Sequence, residues 1–171
     1  MSKFKFGSPA SLSREDFVEK FGGIYEHSAW IAERAYERGI NASHDDIDAM
    51  AQLLKEVFMT ADAAEKFGVV IAHPDLAGKA ARAGELTTAS TNEQASAGID
   101  TLTDEEFEEF TDLNTRYKDK FKFPFIMAVK GSNKHAILAG FRERIHFSPE
   151  DELITAFDQI NKIAMFRLAE L

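Results

Sequence analysis

The sequence contains no cysteine, one tryptophan and only four prolines in 171 residues. The lack of cysteine excludes disulfide bonds, thiolate nucleophiles and zinc sites built on thiolates, and it weakly favours a reducing compartment. Long apolar runs are also missing: FPFIMAV (123–129) is far shorter than the roughly 18 residues that indicate a membrane span. The first residues lack the apolar core of a secretory signal. We therefore expect a cytoplasmic protein with no membrane partner.

Positive charge is scarce relative to negative charge. There are 20 Lys and Arg residues against 29 Asp and Glu residues, which gives a net charge of −9. Nucleic acid is therefore not expected as a partner, because its binding relies on a basic surface. What the chain does have is 44% apolar residues, including 15 phenylalanines. This composition predicts a packed globular protein, and the length predicts a single domain over residues 1–171.

Helical patterns follow one another along the first part of the chain. Ser13 precedes a helix that Gly22 and Gly23 end, and a second helix is expected over 24–38. Residues 43–46 provide a cap for a long helix, whose apolar positions recur at three- and four-residue steps and which we expect to end at Gly68.

The second part of the chain has equally clear helix starts. Residues 103–106 form a capping box, 133–145 has a helical pattern, and Pro149 suits the first turn of the last helix. For 123–129, Pro124 argues against a central strand and leaves a buried extended segment or a helix start open. No strand-like alternation recurs, so the predicted fold class is all-α, a compact bundle of roughly eight helices.

The apolar stripe of the last helix contains an arginine. Its members recur at steps of three and four and are Leu153, Phe157, Ile160, Ala164, Arg167 and Leu171. A guanidinium on this side of a helix needs a carboxylate, carbonyl groups or an anionic ligand to offset its desolvation. A purely structural role stays open, because an arginine near a helix C-terminus also favours the helix dipole and extends to water.

Two further places carry polar groups at predicted helix starts. Pro74 disfavours a helical conformation for His73 and suits the first turn of a helix through 75–84, so His73 is expected at a helix N-terminus. Ser90 and Glu93 have the spacing of a capping box, which is a sufficient structural role, although Glu93 would also orient a ligand there. The histidines show no HxH or HxxxH spacing, so no metal site is expected.

Several separated stretches together resemble the OHCU decarboxylases. These enzymes act on 2-oxo-4-hydroxy-4-carboxy-5-ureidoimidazoline (OHCU) in urate breakdown. The stretches are FGGIYEHSAWIAERAY (21–36), HPDLAGKAA (73–81), LTTASTNEQASAGID (86–100), LNTRYKDKFKFPFIMAVKG (113–131) and KIAMFRL (162–168). They cover nearly the whole chain in order. The chain departs from the family's common pattern at Ala89, Lys122 and Phe166, none of which carries a catalytic group.

The resemblance implies an all-helical homodimer that converts OHCU to (S)-allantoin without a metal or an organic cofactor. It implies that His73 is the proton donor or relay and that Glu93 is the second catalytic residue. The implied substrate-binding residues are Pro74, Ser90, Thr91, Asn92, Gln94, Phe125, Ile126, Met127, Ala128, Val129 and Arg167.

Two other function classes stay open from the residues alone. A non-catalytic helical interaction module would use Ser90 and Glu93 only as a cap and Arg167 only in an ion pair. A hydrolase of a related ureido compound would need an activated water and usually a metal or nucleophile, for which the sequence offers no motif.

Overall fold

The computed structural model describes residues 2–78, 81 and 83–171. Within these residues, eight α-helices and three short 3₁₀ turns have both ends described, residues 81 and 83 are also helical, and the only strand-like pairing is an isolated bridge between Lys3 and Asp46. The helices are α1 (Arg14–Phe21), α2 (Trp30–Glu37), α3 (Ile47–Met59), α4 (Ala63–Ala72), α5 (Thr88–Ser96), α6 (Asp104–Phe121), α7 (Lys134–Arg144) and α8 (Pro149–Leu168). The all-α prediction is confirmed. None of the described helices combines the length and apolar character that a membrane crossing requires.

The chain divides into two compact units. The first contains residues 1–72 and 161–171, and the second contains residues 73–160. Helix α8 therefore begins in the second unit and ends in the first. The single domain over 1–171 stays a prediction.

Two helices of the first unit, α1 and α3, have starts that are capped as the sequence predicts. The Ser13 hydroxyl accepts a hydrogen bond from the Asp16 N–H at 3.1 Å, and the Asp46 carboxylate accepts one from the Ala49 N–H at 3.2 Å. The apolar face of α3 is buried, and the packing of such a face supplies most of the stability of a helix in a protein.

The prediction that the helix after Asp46 runs to Gly68 is wrong. Helix α3 ends at Met59, and Gly68 lies inside α4. The Thr60 hydroxyl donates a hydrogen bond to the Glu56 carbonyl at 2.6 Å, and the Asp62 carboxylate accepts one from the Glu65 N–H at 2.8 Å. Asp62 therefore caps a new helix, and this local signal interrupts an apolar pattern that continues through it.

The helix expected over 24–38 is also shorter than predicted, because 22–29 forms a series of turns and α2 begins only at Trp30. His27 has a φ angle of +47°, which an α-helix does not contain. The carbonyl groups of this turn region are consequently available to partners other than helical N–H groups.

The second unit has an aromatic core on which α6, α7 and the segment 123–129 converge. Thr103 and Glu106 form the predicted capping box at the start of α6. The Tyr117 ring contacts Phe121, Phe125 and Phe141, and Phe125 stacks on Phe141 with ring centroids 3.7 Å apart. Residues 124–129 belong to neither a helix nor a strand, which resolves the alternative that Pro124 left open.

Candidate functional site

His73 is buried, with 8% of its surface exposed, and it is the first residue after α4. The predicted helix start at Pro74 is wrong, because His73 lies in a bend and 74–78 is not helical. Ala77 has a φ angle of +54°, which ends any helix that begins at Pro74. Residues 79–80 and 82 of the expected helix lie outside the described residues.

Gln94 holds the turn that follows His73 and Pro74. Its side-chain oxygen accepts a hydrogen bond from the Ala77 N–H at 3.1 Å, and its amide nitrogen donates one to the Asp75 carbonyl at 3.3 Å. One carboxamide thus satisfies both a donor and an acceptor of the turn. Gln94 is therefore a link between α5 and the segment that begins with His73.

Helix α6 holds the same turn from a second direction. The Asn114 amide donates to the Leu76 carbonyl at 2.8 Å, and the Lys118 ammonium lies 2.6 Å from the Asp75 carboxylate. The turn is short enough that glycine is required at one position, since a Cβ at Gly78 would lie 2.7 Å from the Asp75 Cβ. Contacts from two helices therefore fix the backbone after His73.

The N-cap of helix α5 lies three residues before the position that the sequence predicted. The Thr87 hydroxyl accepts a hydrogen bond from the Ser90 N–H at 3.3 Å and is the N-cap, so the predicted capping box of Ser90 and Glu93 is wrong. Thr87 supplies the same chemical group closer to the helix start. Ser90 is instead buried in the first turn and Glu93 is half-buried in the next, whereas Thr91 and Asn92 are exposed. The structure therefore assigns Glu93 no capping role.

A pocket of about 360 Å³ lies beside α5 in the second unit. Its lining includes Ala77, Thr91, Gln94, Ala95 and Phe107, most of which offer only apolar groups. Among the described residues that line it, neither His73 nor Glu93 is present. Thr91 and Gln94 are the candidate substrate-binding residues that do line this pocket.

The segment 125–129 is buried apart from Met127, which is half-buried. The Ile126 carbonyl accepts a hydrogen bond from Nη1 of Arg144 at 2.7 Å, and the Ala128 N–H donates to Oε1 of Gln159 at 2.9 Å. Side chains from α7 and α8 therefore hold this segment where helical hydrogen bonds are lacking.

Arg144 belongs to a buried polar group that the sequence patterns do not indicate. Its Nε and Nη2 donate to Oε1 of Glu152, and the Tyr117 hydroxyl donates to the same oxygen. Burial, followed by this hydrogen bond to a carboxylate, raises the pKa of Tyr117 well above its ordinary value. Acidic and basic residues near the ends of helices are ordinarily exposed. No sequence signal therefore identified this buried group.

Arg167 is buried in the first unit, as its place in the apolar stripe predicts. Its Nη2 lies 2.8 Å from the Glu26 carboxylate, and its Nη1 donates to the carbonyls of Gly23 and Ile24 at 3.3 and 3.4 Å. Both kinds of partner that a buried guanidinium requires are therefore present. Sequence reasoning missed Glu26, and the one signal for it is that this acid directly follows the large apolar residues Ile24 and Tyr25.

In the described ranges, no group of three or more His, Cys, Asp or Glu side chains is arranged to hold a metal ion. The candidate site residues of the second unit are therefore His73, Ser90, Glu93 and Gln94 with the segment 125–129, and Arg167 is the candidate in the first unit.

Comparison with known families gives a match over nearly the whole chain. The family model described as OHCU decarboxylase matches residues 10–169. The chain is 40% identical over 159 residues to the 2-oxo-4-hydroxy-4-carboxy-5-ureidoimidazoline decarboxylase of Haloferax volcanii, covering 93% of this chain and 90% of that protein. It is 34% identical to the protein of the same name from Amia calva, covering 94% of this chain and 90% of that one.

Two crystal structures of other proteins resemble the fold of this chain. The chain superimposes on a crystal structure of (S)-allantoin synthase with a TM-score of 0.76 and 32% sequence identity, covering 95% of this chain but only 51% of that chain. A crystal structure of OHCU decarboxylase in the presence of (S)-allantoin gives a TM-score of 0.68 over 93% of this chain and 97% of that one. At 20% identity, the second likeness concerns the fold alone.

Proposed function

The chain belongs to the OHCU decarboxylase family, and on that premise we propose that it converts OHCU to (S)-allantoin in urate breakdown. The observation that carries the proposal is the family match over residues 10–169, because this range contains every candidate site residue. Membership of the family makes the chain a carboxy-lyase.

The proposed reaction consumes one proton and releases carbon dioxide. The bond between the carboxylate and the ring carbon breaks and its electron pair forms a C=C bond to the ureido-bearing carbon, while the electron pair of the ring C=N bond goes to the ring nitrogen, which takes up the consumed proton from solvent. The hydroxyl on the former carboxyl-bearing carbon becomes a carbonyl as its proton leaves, and the ureido-bearing carbon receives a proton. The handedness of the product is set by the face on which that last proton arrives.

His73 is proposed as the group that moves this proton. A neutral imidazole accepts the hydroxyl proton, and the resulting imidazolium donates to the ureido-bearing carbon. The burial of His73 supports the proposal, because a side chain shielded from water delivers its proton from one fixed direction. The turn held by Gln94 and Asn114 keeps the backbone after His73 in place.

Glu93 is proposed as the second catalytic group, which orients His73 or accepts hydrogen bonds from the substrate's N–H groups. It does not cap its own helix, and this supports a role for its carboxylate elsewhere. Ser90, Gln94 and the neighbouring Pro74, Thr91 and Asn92 are proposed to line the substrate. Holding a substrate in a reactive orientation contributes several kcal/mol to catalysis, on the order of 7 kcal/mol or more in favourable cases.

Arg167 is proposed to bind the anionic group of the substrate. A guanidinium matches the two oxygens of a carboxylate, and its planar shape suits a fixed orientation. The contacts of Nη1 and Nη2 with Gly23, Ile24 and Glu26 support the proposal by fixing that orientation before any ligand arrives. In the second unit, the backbone groups of residues 125–129 are proposed to bind the substrate. The proposal invokes no metal or organic cofactor, and it includes a cytoplasmic homodimer.

The direct test uses freshly made substrate. Urate is converted to OHCU by a urate oxidase and a hydroxyisourate hydrolase, the protein is added, and circular dichroism follows the optically active product. We expect rapid formation of (S)-allantoin with the unaltered protein. His73→Asn should lower kcat by at least about 100-fold, because the general acid and base is removed.

The control for this variant is His146→Asn, an exposed histidine of the second unit whose replacement should leave the rate unchanged. Formation of racemic product at the uncatalysed rate by the unaltered protein would refute the proposed function. Near-normal turnover by His73→Asn would instead remove His73 from its proposed role and leave the decarboxylation standing.

A further inference from the structure

Met127 is the only residue of 123–129 that is not buried, and both peptide groups beside it are anchored. The peptide before it is held through the Ile126 carbonyl by Arg144, and the peptide after it is held through the Ala128 N–H by Gln159. Each anchor therefore fixes the orientation of one peptide plane next to Met127.

These two anchors determine where the polar groups of Met127 itself point. In a trans peptide the C=O and the N–H point in opposite directions, and no cis peptide bond occurs in the chain's described residues. The Met127 N–H therefore points away from Arg144, and the Met127 C=O points away from Gln159. Within the described residues, neither group makes a hydrogen bond to the protein.

A residue outside a helix can offer its backbone N–H and C=O together, as a donor and an acceptor for one binding partner. In the same way, a residue of a sheet edge exchanges both hydrogen bonds with a neighbouring peptide. A ureido group or a cyclic urea carries the complementary C=O and N–H side by side. We propose that Arg144 and Gln159 are positioning residues that present the Met127 N–H and C=O to the urea-like part of the substrate.

The Arg144 anchor is itself rigid, because its guanidinium is held on three sides. Its Nε is 2.8 Å from the Glu152 carboxylate, its Nη1 reaches Ile126, and its plane lies 4.3 Å above the Phe125 ring. Glu152 is completely buried. An ion pair of this kind contributes little to net stability compared with apolar groups of the same shape, so its retention is explained better by the geometry it imposes on the segment.

This inference rests on the proposed function, and its first test therefore includes a readout that needs no catalysis. Amide signals of the protein are followed by NMR while (S)-allantoin is titrated. We expect the Met127 amide to shift, and we expect Gln159→Met to weaken this response and to accelerate hydrogen exchange at the Ala128 amide. Gln159→Met keeps the length of the side chain and removes the acceptor. Asp158→Asn, an exposed neighbour on α8, is the matched control and should change neither.

Kinetics supplies the second readout. Gln159→Met should raise KM for OHCU roughly 3- to 10-fold, as expected for loss of one oriented hydrogen bond, with kcat within about twofold of the unaltered value. Gln159→Glu restores a carboxyl oxygen as acceptor and should return KM to within about twofold of normal. A merely structural role would lower the melting temperature without this pattern in KM.

The Arg144 anchor needs a variant that removes the whole polar group, since removing one partner of a buried ion pair risks unfolding. The triple variant Tyr117→Phe, Arg144→Met, Glu152→Leu removes the three members together. We expect a folded protein with a KM raised at least about threefold. A folded triple variant with normal KM would overturn the role of Arg144, and if this variant does not fold, the Gln159 variants decide the inference.

The outcomes separate the inference from the proposed function. If the unaltered protein decarboxylates OHCU but Gln159→Met leaves KM unchanged, the inference fails and the function stands. If the unaltered protein does not act on OHCU, the function fails, and the titration then decides: an unshifted Met127 amide overturns the inference, whereas a shift that Gln159→Met weakens supports it.

Discussion

At the scale of single residues, buried charges are the most informative feature of this protein. Arg167 and Glu26 are 7% and 2% exposed, and they form an ion pair in the first unit. Arg144 and Glu152 form a second such pair in the second unit. Each pair brings an arginine into a place where its orientation is fixed by a carboxylate and by backbone carbonyls. Burial therefore converts a flexible side chain into a rigid donor.

Removal of the Glu26 charge should be strongly destabilising. Glu26→Gln leaves the Arg167 guanidinium buried without a counter-charge, and we expect the free energy of unfolding to fall by about 3 kcal/mol. Urea denaturation at neutral pH measures this difference. Glu19→Gln, an exposed position on α1, should stay within about 0.5 kcal/mol of the unaltered protein. Equal stability of the two variants would show that the Glu26–Arg167 pair is dispensable for the fold.

At the scale of elements, the turn after His73 decides the geometry of the proposed site, and glycine makes it possible. Gly78→Ala places a methyl group 2.7 Å from the Asp75 Cβ, so the turn must shift. We expect a loss of about 1–3 kcal/mol in the free energy of unfolding and a lower rate of OHCU turnover.

The matched control is a glycine with free space around it. Gly68 lies inside α4, and a Cβ there meets nothing within 4 Å. Gly68→Ala should therefore raise the free energy of unfolding by about 0.5–1 kcal/mol, because alanine favours a helix more than glycine does. Thermal denaturation of both variants checks the opposite signs, and destabilisation by both would contradict this account of α4.

The capping box of α6 predicts that the stability of the folded protein depends on pH. The hydrogen bond from Lys134, followed by that from the Thr103 backbone N–H, lowers the pKa of Glu106. Since the folded-state pKa lies below the unfolded one, the stabilisation is present above the unfolded pKa and is lost as pH falls through the folded pKa. Glu106→Gln should therefore lower the melting temperature at pH 7 and have little effect at a pH below the folded pKa. Glu108→Gln, exposed on the same helix, should show no such difference, and a pH-independent effect of Glu106→Gln would refute the explanation.

The patterns local to each helix were largely readable from the sequence, and the exceptions have identifiable causes. Ser13, the Thr103 box and Pro149 begin helices as predicted, because a cap and a step of three or four residues are short-range features. The starts at Thr87 and Asp62 were missed because each competes with another acceptable pattern nearby. Helix propensity alone does not decide which of two nearby residues caps a helix.

At the scale of the whole molecule, the proposed assembly is open to measurement. Light scattering coupled to size-exclusion chromatography should give twice the chain mass of 19.1 kDa. A mass of one chain at micromolar concentration would refute the homodimer and leave the proposed reaction unaffected.

The sequence by itself determined the all-α class, most helix starts, the family resemblance and the presence of Arg167 on a buried stripe. These features depend on residues a few positions apart, or on motifs that keep their order along the chain. Only the tertiary structure decided which groups hold Arg167, which side chains anchor Ile126 and Ala128, and that Gln94 binds the turn after His73. Those partners lie far apart in the chain, and hydrogen bonds and ion pairs between them form only when packing brings the segments together.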